Sequence, residues 1–365
     1  MMRTSDFDYT LPPESIAQHA IEPRDASRLL VIHRDSGTLE HRIFHDLPDY
    51  LRPGDVLVLN QTRVIPARLH ATKIPGGGAV EILLIERIDD RHWLAMVGGK
   101  RVREGLRLTL IGEGTPPIEA TVTEVRDESQ RVLEFSEPLE PHLAILGEVP
   151  LPPYIHEPLT DPERYQTVYA RQSGSVAAPT AGLHFTAELL LQIQAMGVEI
   201  VYCTLHVGPG TFQPVKTDDV ASHHLHAEFA QLTPEDAKRI NEAKLRGGRV
   251  IAVGTTTVRT LETAAKLSAG DAGTDVCAWR PVIAFSAQTD LFITPGYPFR
   301  VVDVMITNFH LPKSTLLMLV SAFASRDLML HAYEVAVREG YRFYSLGDAC
   351  LILSGGIPKQ GAKGV

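Results

Sequence analysis

The stretch Arg249-Val-Ile-Ala-Val-Gly-Thr-Thr-Thr-Val-Arg259 decides the fold class of this chain. Its first half is an apolar run of strand length that ends at Gly254, and a helical pattern follows over 257–267. A buried strand that leads directly into a helix is the repeating unit of α/β proteins. We therefore predict an α/β domain around this stretch.

Strand-like and helical patterns alternate from about residue 155 onward. The predicted helices are 187–195, 234–246, 257–267, 314–324 and 328–339, and the predicted strands are 198–205, 249–254, 301–306 and 341–345. Two further strands, 28–33 and 55–59, precede them, with a helix-like start at 13–19. Because the first 70 residues are too few to stand alone, we expect them to join the C-terminal part. The prediction is a mixed sheet with flanking helices, in a barrel-like or layered arrangement.

Residues 71–149 show no helical period. Short apolar or alternating runs at 79–85, 93–97, 106–110, 120–125 and 132–135 are separated by glycine-rich or charged turns. This spacing predicts a small all-β barrel or sandwich, and we expect an inserted barrel. The predicted domains are thus an α/β domain of residues 1–70 plus 150–353, an inserted β-barrel domain of residues 71–149, and a disordered tail at 354–365.

The composition is ordinary for a soluble protein, with 44% hydrophobic and 22% charged residues. Residues 1–10 are polar, and no apolar run approaches the ~20 residues that span a bilayer, so we expect neither a signal peptide nor a membrane partner. Cys203, Cys277 and Cys350 lie far apart, which argues against disulfides and structural zinc and fits a reducing cytoplasm. No heptad pattern is present, and we expect a monomer.

The chain carries 35 Lys and Arg against 44 Asp and Glu, a formal net charge of −9. This balance by itself argues against a nucleic-acid partner. Two segments are locally basic, however: one holds Arg63 and Arg68, and the other holds Lys100, Arg101 and Arg103. Such clusters bind phosphates in some proteins and are solvated faces in others, and composition alone favours the solvated face.

Four loops at predicted strand or helix ends combine glycine, hydroxyl and histidine side chains: 177–186, 206–212, 254–259 and 307–315. Open α/β sheets bind ligands at such junctions, and a helix start offers unpaired N–H groups to an anion. Turns and helix N-caps use the same residue types, but four such loops together favour a ligand site. The chain contains neither Gly-x-Gly-x-x-Gly nor a Walker pattern, which argues against a dinucleotide or a nucleoside triphosphate.

His223, His226 and Glu228 form the pattern that most resembles a metal site. Residues three apart share a helical face and alternate residues share a strand face, so a pair of ligands is geometrically possible. No matching third ligand is evident. We therefore predict no metal and favour an exposed polar segment or a substrate contact.

Six runs give the chain a specific resemblance. They are Leu59-Asn-Gln-Thr-Arg-Val-Ile-Pro-Ala-Arg-Leu69, Tyr165-Gln-Thr-Val-Tyr-Ala170, Ser175-Val-Ala-Ala-Pro-Thr-Ala-Gly-Leu-His-Phe185, Leu205-His-Val-Gly-Pro-Gly-Thr-Phe212, Gly254-Thr-Thr-Thr-Val-Arg259 and Thr307-Asn-Phe-His-Leu-Pro-Lys-Ser-Thr-Leu-Leu317. With these runs the chain resembles the S-adenosylmethionine:tRNA ribosyltransferase-isomerases of the queuosine pathway. The resemblance extends to about residue 352.

This resemblance implies a reaction. The ribosyl group of S-adenosylmethionine would be transferred to 7-aminomethyl-7-deazaguanine at the tRNA wobble position, giving epoxyqueuosine with release of adenine and methionine. S-adenosylmethionine is then a co-substrate, and no metal or organic cofactor is expected. The partners implied are S-adenosylmethionine and the tRNA that carries this base.

The resemblance also implies roles for residues. His184 and His310 are the acid–base candidates, with His206 as a third. The expected substrate contacts are Thr180, Ala181, Gly182, Phe185, Gly208, Gly210, Thr211, Thr255, Thr256, Arg259, Asn308, Lys313, Ser314, Thr315, His223, His226 and Glu228. Among these, the glycines would make room for the nucleoside, and the basic and hydroxyl side chains would hold a carboxylate or phosphate. The expected tRNA contacts are Arg63, Arg68, Lys100, Arg101 and Arg103.

Two other function classes make different predictions. An S-adenosylmethionine-dependent RNA methyltransferase would show a Gly-x-Gly loop after its first strand, and none follows Val31 or Leu59. A non-enzymatic RNA-binding protein would need aromatic residues interleaved with basic ones. Residues 70–150 contain only Trp93 and Phe135 as aromatic residues, which disfavours stacking on RNA bases.

Overall fold

A computed structural model describes residues 2–114, 116–126, 129–159, 161–208, 218–223, 225–270 and 279–354. Its strands are β1 Arg28–His33, β2 Leu39–Ile43, β3 Val56–Asn60, β4 Thr62–Val64, β5 Arg68–Ile74, β6 Ala79–Arg87, β7 His92–Val97, β8 Arg107–Leu110, β9 Ile118–Val125, β10 Gln130–Phe135, β11 Gly147–Glu148, β12 Gln172–Ser175, β13 Glu199–Leu205, β14 Glu228–Leu232, β15 Val250–Val253, β16 Phe285–Thr289, β17 Val304–Asn308 and β18 Ala349–Leu353. Its α-helices are α1 Leu143–Leu146, α2 Ala187–Ala195, α3 Pro234–Leu245, α4 Thr255–Ala269, α5 Thr315–Phe323 and α6 Arg326–Arg338. Short 3-10 helices lie at Thr4–Phe7, Pro13–Ser15, Arg24–Ala26, Phe44–Tyr50, Glu140–His142, Pro162–Tyr165, Thr180–His184 and Val220–Ser222.

The main sheet has nine strands in the order β16-β14-β13-β3-β15-β17-β18-β1-β2. Strands β13, β3, β15 and β17 are parallel neighbours, and β1 pairs parallel with β18. The pairs at both edges are antiparallel, as is the pair between β17 and β18. The predicted mixed sheet is therefore confirmed.

The main sheet buries both of its faces. On β3, Val56 and Val58 belong to one apolar cluster, whereas Leu57 and Leu59 belong to another. This alternation follows from the two-residue period of a strand. The first cluster includes residues of α3, α4, α5 and α6, and the second includes residues of α2. The arrangement is layered, with helices on both faces of the sheet.

The helix α3 shows why these segments become helical. Thr233 caps its N-terminus, because the Thr233 hydroxyl accepts a hydrogen bond of 3.1 Å from the Asp236 backbone N–H. Pro234 occupies the first helical position, where its missing N–H costs nothing. Ile240 and Ala243 then face the sheet from the buried side.

Six antiparallel strands, β5-β6-β7-β10-β9-β8, form a closed barrel because β5 also pairs with β8. Its interior is apolar and includes Ile82, Ala95, Leu108 and Leu133. This confirms the predicted all-β barrel. The strand β5 was not predicted, because Arg68-Leu-His-Ala-Thr alternates small, polar and apolar residues without a strong apolar run.

Two predicted elements are wrong. Residues 341–345 form no strand: Tyr344 has a φ of +75°, which a strand cannot accommodate, and the backbone N–H of Phe343 donates to Ser15. The last strand of the sheet is instead β18, between β17 and β1. The predicted helix at 13–19 is only the 3-10 turn Pro13–Ser15, since Ile16 already has extended backbone. Residues 355–365 of the predicted tail lie outside the described residues.

Within the described ranges no single helix is long and apolar enough to cross a membrane. Helices α5 and α6 reach the length and apolarity of a membrane span only when they are taken together, and their axes are bent by 114° relative to each other. Cys203 and Cys350 are buried free thiols, and Cys277 lies outside the described residues.

Candidate active site

A pocket with an empty volume of about 900 Å³ lies where β15 and β17 end. Because β13, β3, β15 and β17 are parallel, their carboxyl ends share one edge, where α/β sheets bind ligands. The structure brings parts of all four predicted loops to this pocket: Ala178, Pro179, Thr180 and Ala181; Val207; Gly254, Thr255 and Thr256; and Thr307, Asn308, Phe309, His310, Leu311, Pro312 and Ser314. Tyr154, Leu316, Tyr344 and Ser345 complete the lining.

His310 lines the pocket directly after β17 and is 7% exposed. Its Nε2 lies 2.9 Å from Oγ1 of Thr307, and its backbone N–H donates to the hydroxyl of Tyr333. Within the described part of the chain, Nδ1 makes no hydrogen bond. Burial lowers the pKa of His310 to about 3, so the imidazole is neutral at pH 7.

His184 does not line the pocket but supports residues that do. Its Nδ1 lies 2.8 Å from the hydroxyl of Ser27, and its Nε2 lies 3.1 Å from the side-chain nitrogen of Asn308. The Asn308 oxygen accepts a hydrogen bond of 2.8 Å from the hydroxyl of Thr180. With both ring nitrogens engaged, His184 fixes two polar groups of the pocket wall.

Burial also explains the charge state of His184. The ring stacks on Phe44 at 5.0 Å between centroids, inside the core. Burial is the main cause that lowers the pKa of His184 to about 3, and Arg342, Arg164 and Arg24 lower it further. A neutral ring with two hydrogen bonds is suited to hold structure rather than to exchange a proton.

The third loop presents hydroxyls at the start of α4. Gly254, the N-cap, has a φ of +86°, a conformation that glycine adopts without strain. Thr255 and Thr256 follow it and line the pocket. The Asn60 amide nitrogen donates to Oγ1 of Thr256 at 3.2 Å and to the Leu205 carbonyl at 3.0 Å. Asn60, which sequence reasoning did not single out, thereby links β3, β13 and α4.

An aromatic wall closes another side of the pocket. Tyr154 and Tyr344 lie with their ring centroids 4.1 Å apart, and the Tyr154 hydroxyl lies 2.6 Å from Oγ of Ser345. The Tyr344 hydroxyl is buried and, within the described residues, has no hydrogen-bond partner. Burial raises the pKa of Tyr344 above its usual range, so the hydroxyl stays protonated. Sequence reasoning missed both tyrosines, because one follows a proline-rich linker and the other was assigned to a strand.

Arg259 does not reach the pocket. It is buried and forms an ion pair with Glu228, while its Nε donates to the Leu291 carbonyl at 3.1 Å. The second Glu228 oxygen accepts a hydrogen bond of 3.0 Å from the Gly208 backbone N–H. Arg259 and Glu228 therefore anchor the second loop instead of contacting an anion.

Of the three residues in the fourth loop that are expected to hold an anion, Lys313, Ser314 and Thr315, only Ser314 lines the pocket. Ser314 lines the pocket and caps α5, accepting from the Leu317 backbone N–H at 3.1 Å. The Lys313 ammonium lies 2.8 Å from the Asp8 carboxylate and is half exposed. Thr315 begins α5 and does not line the pocket.

Two residues of the first loop have packing roles instead of the expected contacts. A Cβ at Gly182 would lie 2.0 Å from the Tyr169 hydroxyl, so this glycine allows close packing rather than making room for a nucleoside. Phe185 is fully buried and packs edge-on against Phe44 at 5.0 Å. Neither residue lines the pocket.

His206 lines a different cavity, which we call the barrel–sheet cleft. The cleft is lined by Ile65, Ile85, Glu86, Arg87, Trp93, Glu140, Leu143, Ser173, Gly174, His206, Gly208, Ala227, Glu228, Phe229 and Gln288. These residues come from β6, β7 and the end of the barrel on one side and from β12, β14 and β16 on the other. The structure therefore separates His206 from His310.

The segment that contains His223 and His226 does not line the pocket. The His223 ring lies 5.5 Å from that of Phe292, and His226 is exposed. Over the described ranges, no three His, Cys, Asp or Glu side chains converge as metal ligands. Gly210 and Thr211 fall outside the described residues.

The predicted RNA contacts fall into two groups. Three are exposed in the loop between β7 and β8: Lys100, Arg101 and Arg103. Arg63 is instead paired with Glu163, and Nε of Arg68 lies 3.8 Å from the Glu81 carboxylate. Only the loop group presents its cations without carboxylate partners within the described residues.

Comparisons with known proteins agree across the chain. The profile of the family described as "Queuosine biosynthesis protein" matches residues 4–352. Two proteins named S-adenosylmethionine:tRNA ribosyltransferase-isomerase are similar over 96% of this chain and 100% of their own lengths: that of Symbiobacterium thermophilum is 56% identical and that of Moorella thermoacetica 55%. A crystal structure of S-adenosylmethionine tRNA ribosyltransferase from Thermotoga maritima is 40% identical, with a TM-score of 0.54. That likeness covers 96% of this chain and 100% of the other.

Proposed function

This chain belongs to the queuosine biosynthesis protein family, and from that premise we propose that it acts on S-adenosylmethionine and a tRNA carrying 7-aminomethyl-7-deazaguanine. The enzyme transfers and isomerises the ribosyl group onto that wobble base. The products are epoxyqueuosine-tRNA, adenine and methionine. The ribosyltransferase-isomerase activity in the names of its relatives, together with the queuosine biosynthesis family whose profile it matches, is the basis of this assignment.

The pocket supplies the groups that the proposed chemistry needs. A sulfonium acidifies the neighbouring 5′ carbon, and a positioned base can remove a proton there. Adenine then leaves the ribose and takes up a proton, and the amine of the RNA base attacks the sugar carbon and loses a proton. Cleavage of the bond between the 5′ carbon and sulfur releases methionine. The structural observation that supports this chemistry is the placement of His310, which lines the pocket and whose Nδ1 makes no hydrogen bond within the described residues.

We assign the other roles from placement. Thr255, Thr256 and Ser314 line the pocket at helix starts, where hydroxyls and N–H groups suit the methionine carboxylate. His184 acts as a positioning residue through Asn308. The reaction as proposed uses no resident cofactor, because the sulfonium itself activates the substrate.

The proposal extends to the organisation of the chain. Strands of the main sheet precede and follow those of the barrel in chain order, which supports an inserted barrel domain at 71–149 within an α/β domain of 1–70 and 150–353. The exposed basic loop of the barrel suits the anticodon stem of the tRNA. We expect a cytoplasmic monomer, and light scattering would test the oligomeric state.

One assay tests the activity. The protein is incubated with S-adenosylmethionine and the modified tRNA, and free adenine and methionine are quantified by mass spectrometry. The same tRNA with guanine at the wobble position is the control. Equal release of both products, only with the modified tRNA, is expected; S-adenosylhomocysteine instead would identify a methyltransferase and contradict the proposal.

A further inference from the structure

The barrel–sheet cleft and the pocket flank the same short segment. His206 and Gly208 line the cleft, whereas Val207 between them lines the pocket. The cleft has an empty volume of about 970 Å³, and among the described residues no atom lies within 4 Å of where a Cβ at Gly208 would stand. Group transfer requires the reacting atoms to approach to about 3–3.5 Å. Two cavities on one segment therefore suit two reactants.

One wall of the cleft is flat and fixed. A Cβ at Gly174 would lie 3.1 Å from Cε1 of His206, so the imidazole rests directly on the glycine backbone. The same ring stacks on Phe229, with 5.7 Å between centroids and 20° between planes. Both contacts restrict rotation of the ring. A planar ligand finds a rigid surface here.

Two polar atoms at the cleft lack partners. The Nδ1 of His206 and the indole N–H of Trp93 are buried and form no hydrogen bond within the described residues. Burial lowers the pKa of His206, which keeps its ring neutral. Trp93 is only 4% exposed, so bulk water does not satisfy its N–H. Buried polar atoms of this kind are normally paired, and a ligand with edge donors and acceptors is one way to pair them.

The charges of the cleft leave one carboxylate available. Arg87 lies 2.8 Å from the Glu140 carboxylate, and Glu228 is held by Arg259. The carboxylate of Glu86 is exposed and makes no ion pair or hydrogen bond within the described part of the chain. An unpaired carboxylate in the same cleft as the His206 ring matches a planar base that carries a primary ammonium group.

We propose that the barrel–sheet cleft receives the amine-bearing nucleobase of the RNA substrate, with its ammonium group facing Glu86 and its plane beside His206. This inference rests on the proposed function, which supplies such a base. It gives the base a binding site of its own, separate from the pocket that holds the sulfonium nucleoside. The barrel and the sheet each contribute one side of that site.

Binding of two anticodon stem-loop RNAs to the full-length protein tests the inference. One RNA carries 7-aminomethyl-7-deazaguanine at the wobble position, and the other carries guanine. We expect wild type to prefer the modified RNA and Glu86→Gln to lose about tenfold of affinity for it, since a charge-assisted hydrogen bond is lost. Affinity for the guanine RNA should stay unchanged.

Two further variants sharpen the test. Glu124→Gln is the matched control, because Glu124 is exposed on β9, on the opposite side of the barrel from β6. His206→Leu removes the imidazole beside which the base is proposed to lie, and it should also weaken binding of the modified RNA. S-adenosylmethionine binding by equilibrium dialysis should be unchanged in all variants, which shows that each is folded.

The outcomes separate the two proposals. If Glu86→Gln and His206→Leu both bind the modified RNA as wild type does, the cleft assignment is overturned, even when wild type releases adenine normally. If wild type releases no adenine with the modified tRNA, the proposed function fails, and the cleft assignment falls with it. A loss of affinity that is confined to the modified RNA and absent from Glu124→Gln supports the cleft assignment, whereas the proposed function is supported by adenine release from the modified tRNA.

Discussion

Nε2 of His184 and the side-chain nitrogen of Asn308 lie 3.1 Å apart, behind the pocket wall. With Nε2 accepting from the amide, the ring proton lies on Nδ1 and is donated to Ser27. The arrangement also orients Thr180, which donates to the Asn308 oxygen. Two histidines with similar sequence surroundings are therefore placed differently: His184 supports the pocket wall through Asn308, and His310 lines the pocket itself.

His184→Ala should destabilise the protein and weaken substrate binding. The change removes two buried hydrogen bonds and a ring stacked on Phe44, for a loss of about 2–4 kcal/mol in the free energy of unfolding. Urea denaturation measures that loss. KM for S-adenosylmethionine should rise while the pH dependence of kcat stays the same. A large drop in kcat at unchanged stability and KM would show instead that His184 is catalytic.

His310→Gln should remove catalysis while keeping the nucleoside bound. Loss of a general base lowers the rate by about 10²–10⁴-fold. Single-turnover release of adenine measures the rate, and equilibrium dialysis measures binding. Thr307→Val is the control, because it removes only the partner of Nε2, and its effect should be smaller. A variant with a rate within threefold of wild type, roughly, would exclude His310 as the base.

Acid should unfold the protein partly through these two histidines. Their pKa values fall from the usual 6.5 to about 3 on folding, so the unfolded chain binds more protons between these limits. Stability is then complete above pH 6.5 and is lost as pH falls toward 3, by about 2 kcal/mol per histidine between pH 7 and pH 5. Urea titrations at both pH values measure this. The double variant with His184→Gln and His310→Gln should lose less stability over the same interval, and an unchanged loss would contradict the account.

Removing one partner of the buried Arg259–Glu228 ion pair should strongly destabilise the protein. Arg259→Met leaves the Glu228 carboxylate buried without its cation, which costs about 3–5 kcal/mol in the free energy of unfolding. Combining it with Glu228→Leu should recover much of that loss. The exposed pair of Arg326 and Asp327 is the control, since Arg326→Ala should change stability by no more than about 1 kcal/mol. Equal effects at the two sites would rule out the buried-pair argument.

The basic loop between β7 and β8 should act only on RNA. Replacing Lys100, Arg101 and Arg103 together with alanine removes up to three phosphate contacts, so log Kd for tRNA should depend on log salt less steeply, by about 2–3 in slope. S-adenosylmethionine binding should be unchanged. Arg126→Ala, a barrel cation paired with Glu124, is the matched control. An unaltered salt dependence in the triple variant would exclude this loop from the RNA interface.

Periodicity along the chain was sufficient for most of the fold. The apolar run before Gly254 became β15, and the helical pattern after it became α4. Five of the six barrel strands were predicted from short alternating runs, but β5 was not, because its side chains alternate weakly. The prediction of a strand at 341–345 is wrong for a different reason: Phe343 makes only an isolated bridge with Ile16 of the N-terminal segment, and Tyr344 then has a positive φ.

Contiguous motifs likewise identified the family and predicted most of the loops that line the pocket, because a motif is a local property of the chain. They did not show that His310 faces the pocket while His184 stands behind it, or that Arg259 is occupied by Glu228. Those contacts join residues 124 positions apart for His184 and Asn308, and 31 apart for Arg259 and Glu228. A side chain's partner and its burial depend on which distant segments the fold brings together, and only the packed tertiary structure decides them.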